Sequence, residues 1–525
     1  MNQRPEDVEE TAREEVREEV SEEGSEEIVP PGSAAQSKPA ASRSIPRNFA
    51  VLAAGEALAK VLTFFAFTFV GRVLGPADYG KLEFTLAVMV FFSLSVELGL
   101  STWGAREVAR NLARAGSLLR DIAVLRLVLA VGAGLVLAVL ALWGPMEGDV
   151  SLLLAFYAGS LFVAPVLLHW YFQGHEQMHF VALAQIIRQG TFAALVFSFV
   201  KEGTPVYWLG AMELLSVLAA GVFCVAVVVR HTGFPAPEWK FDARRLWGQM
   251  REASPIGFSD ITWACLWYCS TLLLGLLAAE ESLGWFGAAH RATLAVHTFV
   301  WFYFFNLLPS ISRCAGAPTQ TLRRLMARSQ IFTAWGGIFV AFVVTMLSQE
   351  LVTLAYGAHF AEAAAPFSVL IWIIPLSLVS GHYRYTLIAY NYQKLLFSWT
   401  AVAALAGALS SWFLIPVLGP TGAALALGGA NVIVFVLAYF SVRNRIAHIP
   451  FASSLVRPAA AVGAGLLVVF LGGISDPWLR GVVASAVYLA FFFYFERGVI
   501  IELLPRLFPR APWLWQGISE NVKGK

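Results

Sequence analysis

The chain has 525 residues, of which 58% are apolar and only 14% are charged. Soluble domains average about 25% charged residues, so this composition excludes a soluble globular protein and indicates one that crosses a membrane many times. The formal net charge of +2 gives no indication of a nucleic-acid partner.

Residues 1–47 predict a disordered, acidic cytoplasmic tail. Glutamate dominates residues 6–27, which contain almost no aromatic residues, and residues 30–47 are rich in proline, serine and alanine. Such a composition buries too little apolar surface to fold, and the segment lacks the apolar core of a signal peptide.

Fourteen hydrophobic segments of membrane-spanning length follow, joined by loops too short to fold into domains. A spanning helix needs roughly 20 apolar residues, so we predict an all-α integral membrane protein with about fourteen transmembrane helices. The predicted spans are 49–70, 82–103, 121–143, 151–172, 180–200, 205–229, 254–278, 284–308, 330–348, 364–388, 395–416, 420–441, 457–473 and 478–496.

Basic residues alternate from loop to loop. The loops after spans two, six, eight and twelve are rich in arginine and lysine, whereas those after spans three, seven and thirteen are acidic or nearly uncharged. Cytoplasmic loops carry the excess of basic residues. We therefore predict a multi-pass protein of the cell (inner or plasma) membrane with both termini in the cytoplasm, residues 499–525 forming the second cytoplasmic tail.

A weak internal repeat divides the spans into two groups. Tyr79-Gly80 is followed by the run Thr85–Val88, and Phe286-Gly287 is followed by the same four residue types at Thr293–Val296. At this offset, Glu83 and Arg291 fall in corresponding positions.

The repeat predicts two pseudo-repeated six-helix lobes, at 48–230 and 251–445, joined by a cytoplasmic linker at 231–250. Residues 446–498 add two C-terminal transmembrane helices. Two related lobes around a central cavity are the construction of alternating-access transporters, in which the substrate site lies near the membrane midplane at the lobe interface.

Two motifs have the spacing of known sites but lack parts of them. His175-Glu176-Gln177-Met178-His179 matches the zinc-hydrolase pattern, but Gly174 directly precedes it at the turn between spans four and five. The segment 75–81 has the spacing of a phosphate-binding loop, but Pro76 removes a needed backbone N–H and Leu82 replaces the metal-binding Ser or Thr. We expect turns at both places, no metal or other cofactor, and no direct use of ATP.

Charged side chains inside the spans are the natural site candidates, because burying a charge in lipid is costly. The candidates for a substrate cavity are Lys60, Arg188, Arg291 and Arg72. Arg72 lies at the far end of its span, where snorkelling to the interface suits it equally well. Glu56 stands one turn from Lys60, so the two can partly neutralise each other as a structural pair or can form a polar face on a cavity.

Glu56, Glu97 and Asp260 are candidates for ion coupling. Glu97 lies near the cytoplasmic boundary, where it is either solvated or able to exchange protons, and Asp260 is deeper in its span. Arg291 follows His290 directly, with His297 two turns further along. This group is either an ordinary interface cluster or, facing a cavity, a cationic site suited to phosphate.

Several short motifs in order along the chain resemble one family. They extend from about residue 48 to residue 445, and they include Gly71–Gly80, Glu97–Leu100, Arg106–Arg110, Tyr171–Gly174 and Leu418–Ala424. The chain resembles the polysaccharide-biosynthesis flippases. These are O-antigen-type oligosaccharide-lipid transporters, related to lipid II flippases and to multidrug extruders.

The resemblance implies a flippase that exports oligosaccharide on a polyprenyl pyrophosphate from the inner to the outer leaflet, for cell-surface polysaccharide biosynthesis. It implies two lobes that rock around a cationic cavity, and no enzymatic activity. Lys60 and Arg291 stand where related lipid II flippases place cavity arginines, although lysine loses the bidentate phosphate contact. The implied partners are the lipid carrier, membrane lipids, an H⁺ or Na⁺ gradient, and the glycosyltransferases and polymerase of the same pathway.

Two alternatives stay open at this point. An ion-coupled drug or cation antiporter of the same superfamily would favour a more acidic cavity than the mixed and basic charges here. An intramembrane zinc metalloprotease would require His175 and His179 to bind metal, with Glu176 as the base.

Overall fold

Helices form the regular structure of the part of the chain that the structure describes. A computed structural model describes residues 41–143, 148–232 and 242–498, so most of the predicted N-terminal tail, part of the predicted linker and the whole C-terminal tail lie outside the described residues. Over the described ranges the chain forms no strands and sixteen α-helices. They are α1 (Ala41–Glu97), α2 (Leu100–Arg110), α3 (Ala115–Trp143), α4 (Gly148–Leu161), α5 (His169–Gly174), α6 (Met178–Phe199), α7 (Tyr207–Thr232), α8 (Ala243–Leu277), α9 (Glu280–Arg313), α10 (Thr319–Met346), α11 (Ser348–Tyr356), α12 (Ala364–Leu370), α13 (Ile373–Ala389), α14 (Gln393–Arg445), α15 (Ala452–Leu471) and α16 (Pro477–Phe495).

Twelve helical segments of the described residues are long and apolar enough to cross a membrane. Two helices among them, α1 with 57 residues and α14 with 53, are too long for one crossing. At 1.5 Å per residue each would extend about 80 Å, against roughly 30 Å of hydrocarbon. Each therefore supplies two spans, which brings the number of crossings to the predicted fourteen. The prediction of an all-α membrane protein is confirmed.

A glycine breaks each of these two helices into a hairpin. Gly75 has φ 81° and ψ 175°, and Gly419 has φ 53° and ψ −132°, conformations that residues with a Cβ rarely adopt. Proline follows each glycine and begins the second arm, where its missing N–H costs no helix hydrogen bond. The arms of α14 lie side by side. A hydrogen bond shows this: the Trp399 indole N–H donates to Ser441 Oγ at 2.8 Å, although the two residues are 42 positions apart in the chain.

The hairpins give the bundle two distinguishable ends. We call the end at which α2, α7, α9 and the second arm of α14 finish the basic end, because the arginine-rich loops lie there. The opposite end, which carries the turn at Gly75 and the short connection from α8 to α9, is called the Gly75 end. Most of the buried apolar residues of the spans belong to one continuous core that draws on both halves of the chain.

The last two helices attach to the rest of the bundle through α10. The Trp335 indole N–H of α10 donates to Glu496 Oε1 at 3.2 Å, and the Tyr488 hydroxyl of α16 donates to the Trp335 carbonyl at 2.8 Å. Arg457 of α15 also donates to Glu496 Oε1, at 3.0 Å. The chain divides into two compact units, Met1–Arg47 and Asn48–Lys525. In the first unit, the structure describes only the residues that begin α1.

Candidate functional site

A cavity of about 900 Å³ lies between the first and second halves of the chain. Its first wall comes from the first arm of α1 together with α2, α5 and α6, and its second wall comes from α8, α9 and α13. The lining reaches Ser101 and Gln173, which lie close to the basic end. The cavity is large enough for a polar head group, since small-molecule sites typically measure 300–1,000 Å³.

Two cations and one carboxylate line this cavity: Lys60 and Glu56 on α1 and Arg384 on α13. Lys60 is exposed and makes no ion pair with any described residue, Glu56 included, so of the two alternatives for these residues the arrangement corresponds to the polar face on a cavity. Glu56 instead accepts a hydrogen bond from the Gln185 amide at 3.2 Å. The buried Nε of Arg384 has no acceptor among the described residues. Within the described part of the chain, the cavity therefore has two cations without an ion-pair partner.

The rest of the lining combines hydrogen-bonding groups with large aromatic rings. Ser101, Thr102 and Ser377 provide hydroxyls, and Gln173 and Gln185 provide amides. The aromatic residues of the lining are Trp170, Trp263, Tyr268, Trp301, Phe302, Phe304, Phe305 and Tyr385. Flat rings with a few placed polar groups are typical of small-molecule sites, and here they could contact a sugar through both its hydroxyls and its apolar faces.

Arg291 lies outside this cavity, although the sequence predicts it there. Its Nε donates to Glu83 Oε1 at 2.7 Å, and its guanidinium carbon lies 3.6 Å from the centre of the Phe67 ring. Phe67 and Glu83 belong to opposite arms of the α1 hairpin. The buried carboxylate of Glu83 neutralises Arg291, which therefore joins α1 to α9 and does not add charge to the cavity.

The Arg291–Glu83 pair belongs to a tight contact between α1 and α9 at the Gly75 end. A Cβ at Gly80 would lie 2.0 Å from the Glu280 carbonyl oxygen, and one at Gly284 would lie 1.9 Å from the Pro76 carbonyl oxygen. Only glycine permits so close an approach of two backbones. We call this contact, formed by Pro76, Gly80 and Glu83 with Glu280, Gly284 and Arg291, the seal.

A second contact between the halves lies at the basic end, between α8 and the α1–α2 junction. A Cβ at Gly257 would lie 2.5 Å from the Leu98 carbonyl carbon, and one at Gly99 would lie 2.5 Å from the Ala253 carbonyl oxygen. The Trp103 indole N–H donates to Glu252 Oε2 at 3.1 Å. This basic-end contact and the seal lie at opposite ends of the bundle.

Two more of the predicted site residues are neutralised by partners in the same half of the chain. Arg188 on α6 pairs with Glu213 on α7, its Nε donating at 3.2 Å. Glu97 pairs with Arg126 on α3. Arg126 is only 2% exposed and also donates to the carbonyls of Ala164 and Leu167, at 3.1 and 3.2 Å. These two pairs therefore join neighbouring helices.

Replacing Arg126 with methionine is expected to destabilise the protein strongly. The change removes the ionic partner of the Glu97 carboxylate, which keeps a hydrogen bond from the Ser101 N–H, and it removes the arginine donor from the carbonyls of Ala164 and Leu167. Breaking a buried pair costs about 3–5 kcal/mol. The apparent melting temperature of the detergent-solubilised protein measures this loss. Arg106→Met, at an exposed arginine of α2, is the control and is expected to melt like the unmodified chain. Equal melting of both variants would show that the pair contributes nothing.

The remaining candidates from the sequence lie away from the cavity. Asp260 is an exposed residue of α8, and Arg72 is exposed near the Gly75 turn. Neither is part of the cavity lining. Of the seven predicted residues, the structure thus brings only Lys60 and Glu56 together in one cavity.

The segment with the zinc-hydrolase pattern forms a turn and not a helix. Helix α5 ends at Gly174, α6 begins at Met178, and Glu176 between them has φ 57°. The two histidines therefore do not stand one helical turn apart on a common face, as the zinc site requires. Over the described residues, no group of three or more His, Cys, Asp or Glu side chains has an arrangement that could hold a metal ion.

Sequence reasoning missed four charged residues that matter in the structure: Arg126, Glu213, Arg384 and, as a partner of Arg291, Glu83. All four lie inside predicted spans, so the criterion that selected the other candidates would have found them. Glu83 was marked by the repeat, whose offset of 208 residues separates it from Arg291. The same offset separates Pro76 from Gly284 in the seal.

Comparison with known proteins decides the family. The model of the family described as "Polysaccharide biosynthesis protein" matches residues 45–315. The chain belongs to this family. A protein of Escherichia coli (strain K12) named as an O-antigen transporter is 24% identical over 420 residues, covering 76% of this chain and 97% of its own. A Shigella dysenteriae protein of the same name is 21% identical over 345 residues, 65% of this chain and 78% of its own.

Solved structures show the same fold. The lipid II flippase MurJ in an inward closed conformation superposes with a TM-score of 0.71 at 13% identity, covering 86% of this chain and all of its own. An inward-facing multidrug resistance MATE family transporter gives a TM-score of 0.60 at 14% identity, with 74% and 94% of the two chains covered. The predicted family and fold are confirmed. This member of the family is therefore a multi-span membrane transporter of polysaccharide biosynthesis.

Proposed function

We propose that this protein is a flippase that moves polyprenyl-pyrophosphate-linked oligosaccharide from the inner to the outer leaflet of the cell membrane. The observation that carries the proposal is the cavity between the two halves, in which the cations Lys60 and Arg384 have no ion-pair partner among the residues that the structure describes. A pyrophosphate provides the negative charge that these cations lack, and arginine suits it through bidentate hydrogen bonds. The polar and aromatic lining suits the sugars.

The proposed orientation places the basic end in the cytoplasm. Cytoplasmic loops carry most of the basic residues of membrane proteins. Both termini then lie in the cytoplasm, and the seal faces the outer side. Residues 48–230 and 251–445 would be the two lobes, joined by the linker at 231–250, with 446–498 as an addition.

Transport would proceed by alternating opening of the two contacts that flank the cavity. The basic-end contact opens to admit the head group from the inner leaflet, while the seal keeps the outer side closed. The seal then opens and releases the head group into the outer leaflet. Each polar group carried unaided through hydrocarbon costs several kcal/mol, and a hydrated cavity removes this cost while the lipid tail stays in the bilayer.

The charges of the cavity favour this substrate over that of a drug or cation antiporter. A cationic drug needs carboxylates, and among the described residues the cavity lining has one, Glu56. The relatives are named as transporters, which fits a protein without enzymatic activity. The substrate must be supplied by glycosyltransferases that build sugars on the lipid carrier, and consumed by a polymerase or ligase on the outer side.

Reconstitution into liposomes tests the proposed function directly. A radiolabelled oligosaccharide on polyprenyl pyrophosphate is incorporated in both leaflets, and a membrane-impermeant glycosidase is added outside. The protein is expected to raise the digestible fraction from about half to nearly all. Ion-driven uptake of ethidium without any rise in digestion would instead establish the antiporter. Zinc at one equivalent per chain in the purified protein would revive the protease hypothesis.

A further inference from the structure

Two histidines on α9 have ring nitrogens without a hydrogen-bond partner among the described residues. His290 is 2% exposed, and neither its buried Nε2 nor that of His297 bonds any residue in the described ranges. Buried polar atoms almost always have partners, so such atoms mark strain or function. His382 on α13 shows the ordinary arrangement, because its Nε2 bonds Ser329 at 2.6 Å and its Nδ1 bonds the Leu378 carbonyl at 2.7 Å.

Aromatic rings surround His290 on several sides. The Phe286 ring stacks on the imidazole, with the ring centres 5.5 Å apart and an angle of 14° between the ring planes. The Tyr268 ring meets the imidazole edge-on, with the ring centres also 5.5 Å apart. Trp267 lies 6.2 Å away. Aromatic faces attract cations, so this surrounding accommodates an imidazolium better than an aliphatic pocket of equal burial would.

The two histidines connect the seal to the cavity. His290 precedes Arg291, the residue that pairs with Glu83 in the seal. His297 lies on the same face of α9 about 10 Å further along and lines the cavity. The Trp267 ring packs beside both imidazoles, with its centre 6.2 Å from that of His290 and 4.6 Å from that of His297. Tyr268, which touches His290, also lines the cavity, so one ring separates His290 from the cavity interior.

We propose that His290 is the proton-binding site that couples transport to a proton gradient, and that His297 exchanges this proton with the cavity. The proposal rests on the alternating opening of the seal in the proposed function. The titratable and charged groups that face His290 are Tyr268 from α8, Arg291 from α9 and Glu83 from the α1 hairpin, whose side chain lies against Gly287. Those that share the cavity lining with His297 are Arg384, Lys60, Glu56, His169, Tyr268 and Tyr385.

The coupling follows from the position of the positive charge. A proton on His290 adds a cation beside Arg291, competes with it for the single carboxylate of Glu83 and so weakens the seal. In the open state His290 takes a proton from the outer solution, and this proton keeps the seal open while the head group leaves. When the seal closes, the proton leaves the His290 Nε2 for the His297 Nε2 through cavity water and passes into the cytoplasm. One proton thus enters for each head group exported.

Distance measurements between two spin labels test this site without any substrate. The four cysteines, Cys224, Cys265, Cys269 and Cys314, are replaced by alanine. Labels are then attached at Glu202→Cys and Gln349→Cys, two exposed positions at the Gly75 end in the first and second halves of the chain. We expect acidification from about pH 8 to pH 5 in nanodiscs to shift the population towards longer distances, because the seal opens.

His290→Phe and His290→Gln are both expected to lose this shift while keeping the distances seen at neutral pH. His359→Phe, at an exposed histidine of the same end, is the matched control and is expected to keep the shift. An unshifted distribution in the parent, or an equal shift in both His290 variants, overturns the proton site. In that event, glycosidase accessibility in liposomes still decides the proposed function on its own. A pH shift without any export of the lipid-linked oligosaccharide would retain the proton site and refute the flippase.

Discussion

Arg384→Gln is expected to reduce transport of lipid-linked oligosaccharide by one to two orders of magnitude, and Arg384→Glu is expected to abolish it. A hydrogen bond to a charged group contributes about 1.5–3 kcal/mol, and loss of that amount corresponds to roughly a 10- to 150-fold change. The reversal to glutamate adds repulsion of the pyrophosphate. The initial rate at which the labelled head group becomes accessible to an external glycosidase measures both effects.

Variants at the other cavity cation separate charge from geometry. Lys60→Arg supplies the bidentate phosphate contact that lysine cannot make, and this variant is expected to transport at least as fast as the unmodified chain. Lys60→Glu is expected to abolish transport. Arg384→Lys keeps the charge but loses the fork of donors, so an intermediate rate is expected. Substitutions at Arg384 leave no internal carboxylate unpaired, because the arginine has no ion-pair partner among the described residues.

Arg72→Gln is the control for these experiments. Arg72 is a sequence-predicted cavity residue that the structure places outside the cavity, exposed near the Gly75 turn. Its removal is expected to leave the transport rate unchanged. Normal transport by both Lys60→Glu and Arg384→Glu would remove the cationic cavity from the mechanism, whereas a large loss in Arg72→Gln would move the substrate site towards the Gly75 end.

The number of spans and the two hairpins were predictable because they depend on local properties. The thickness of the bilayer sets the length of an apolar segment, and the glycine–proline steps at Gly75 and Gly419 end one helix and begin the next. The same local reading located most of the charges within the spans. These features need no knowledge of which helices become neighbours.

The state of each charge was not predictable, because it depends on a distant partner. Arg291 and Glu83 are 208 residues apart, and Arg188 and Glu213 are 25 apart on separate helices. A deep arginine next to a carboxylate joins helices, whereas an unpaired one, such as Arg384, is available to a ligand. Hydropathy and spacing do not distinguish the two cases, since both leave the same charged residue within an apolar segment.

Gly284→Ala is expected to open the seal and to reduce transport although it adds a single methyl group. The added Cβ would lie 1.9 Å from the Pro76 carbonyl oxygen, a backbone atom that no side-chain rotation can move aside. Overpacking of this kind costs about 1–3 kcal/mol, which corresponds to a roughly 5- to 150-fold shift from the sealed to the open state. Spin labels at positions 202 and 349 are expected to report longer distances at neutral pH, as Gly80→Ala should also produce.

Gly257→Ala is the informative counterpart, because its Cβ would lie 2.5 Å from the Leu98 carbonyl carbon in the basic-end contact. If the two contacts open in alternation, this variant weakens the opposite contact and is expected to keep the labels at their shorter distance while also reducing transport. Gly190→Ala has open space around its Cβ and is expected to change neither quantity. Longer distances in both Gly284→Ala and Gly257→Ala would mean that the two contacts open together. The cavity would then connect both sides of the membrane at once, and alternating access would be refuted even if the lipid-linked oligosaccharide still crossed.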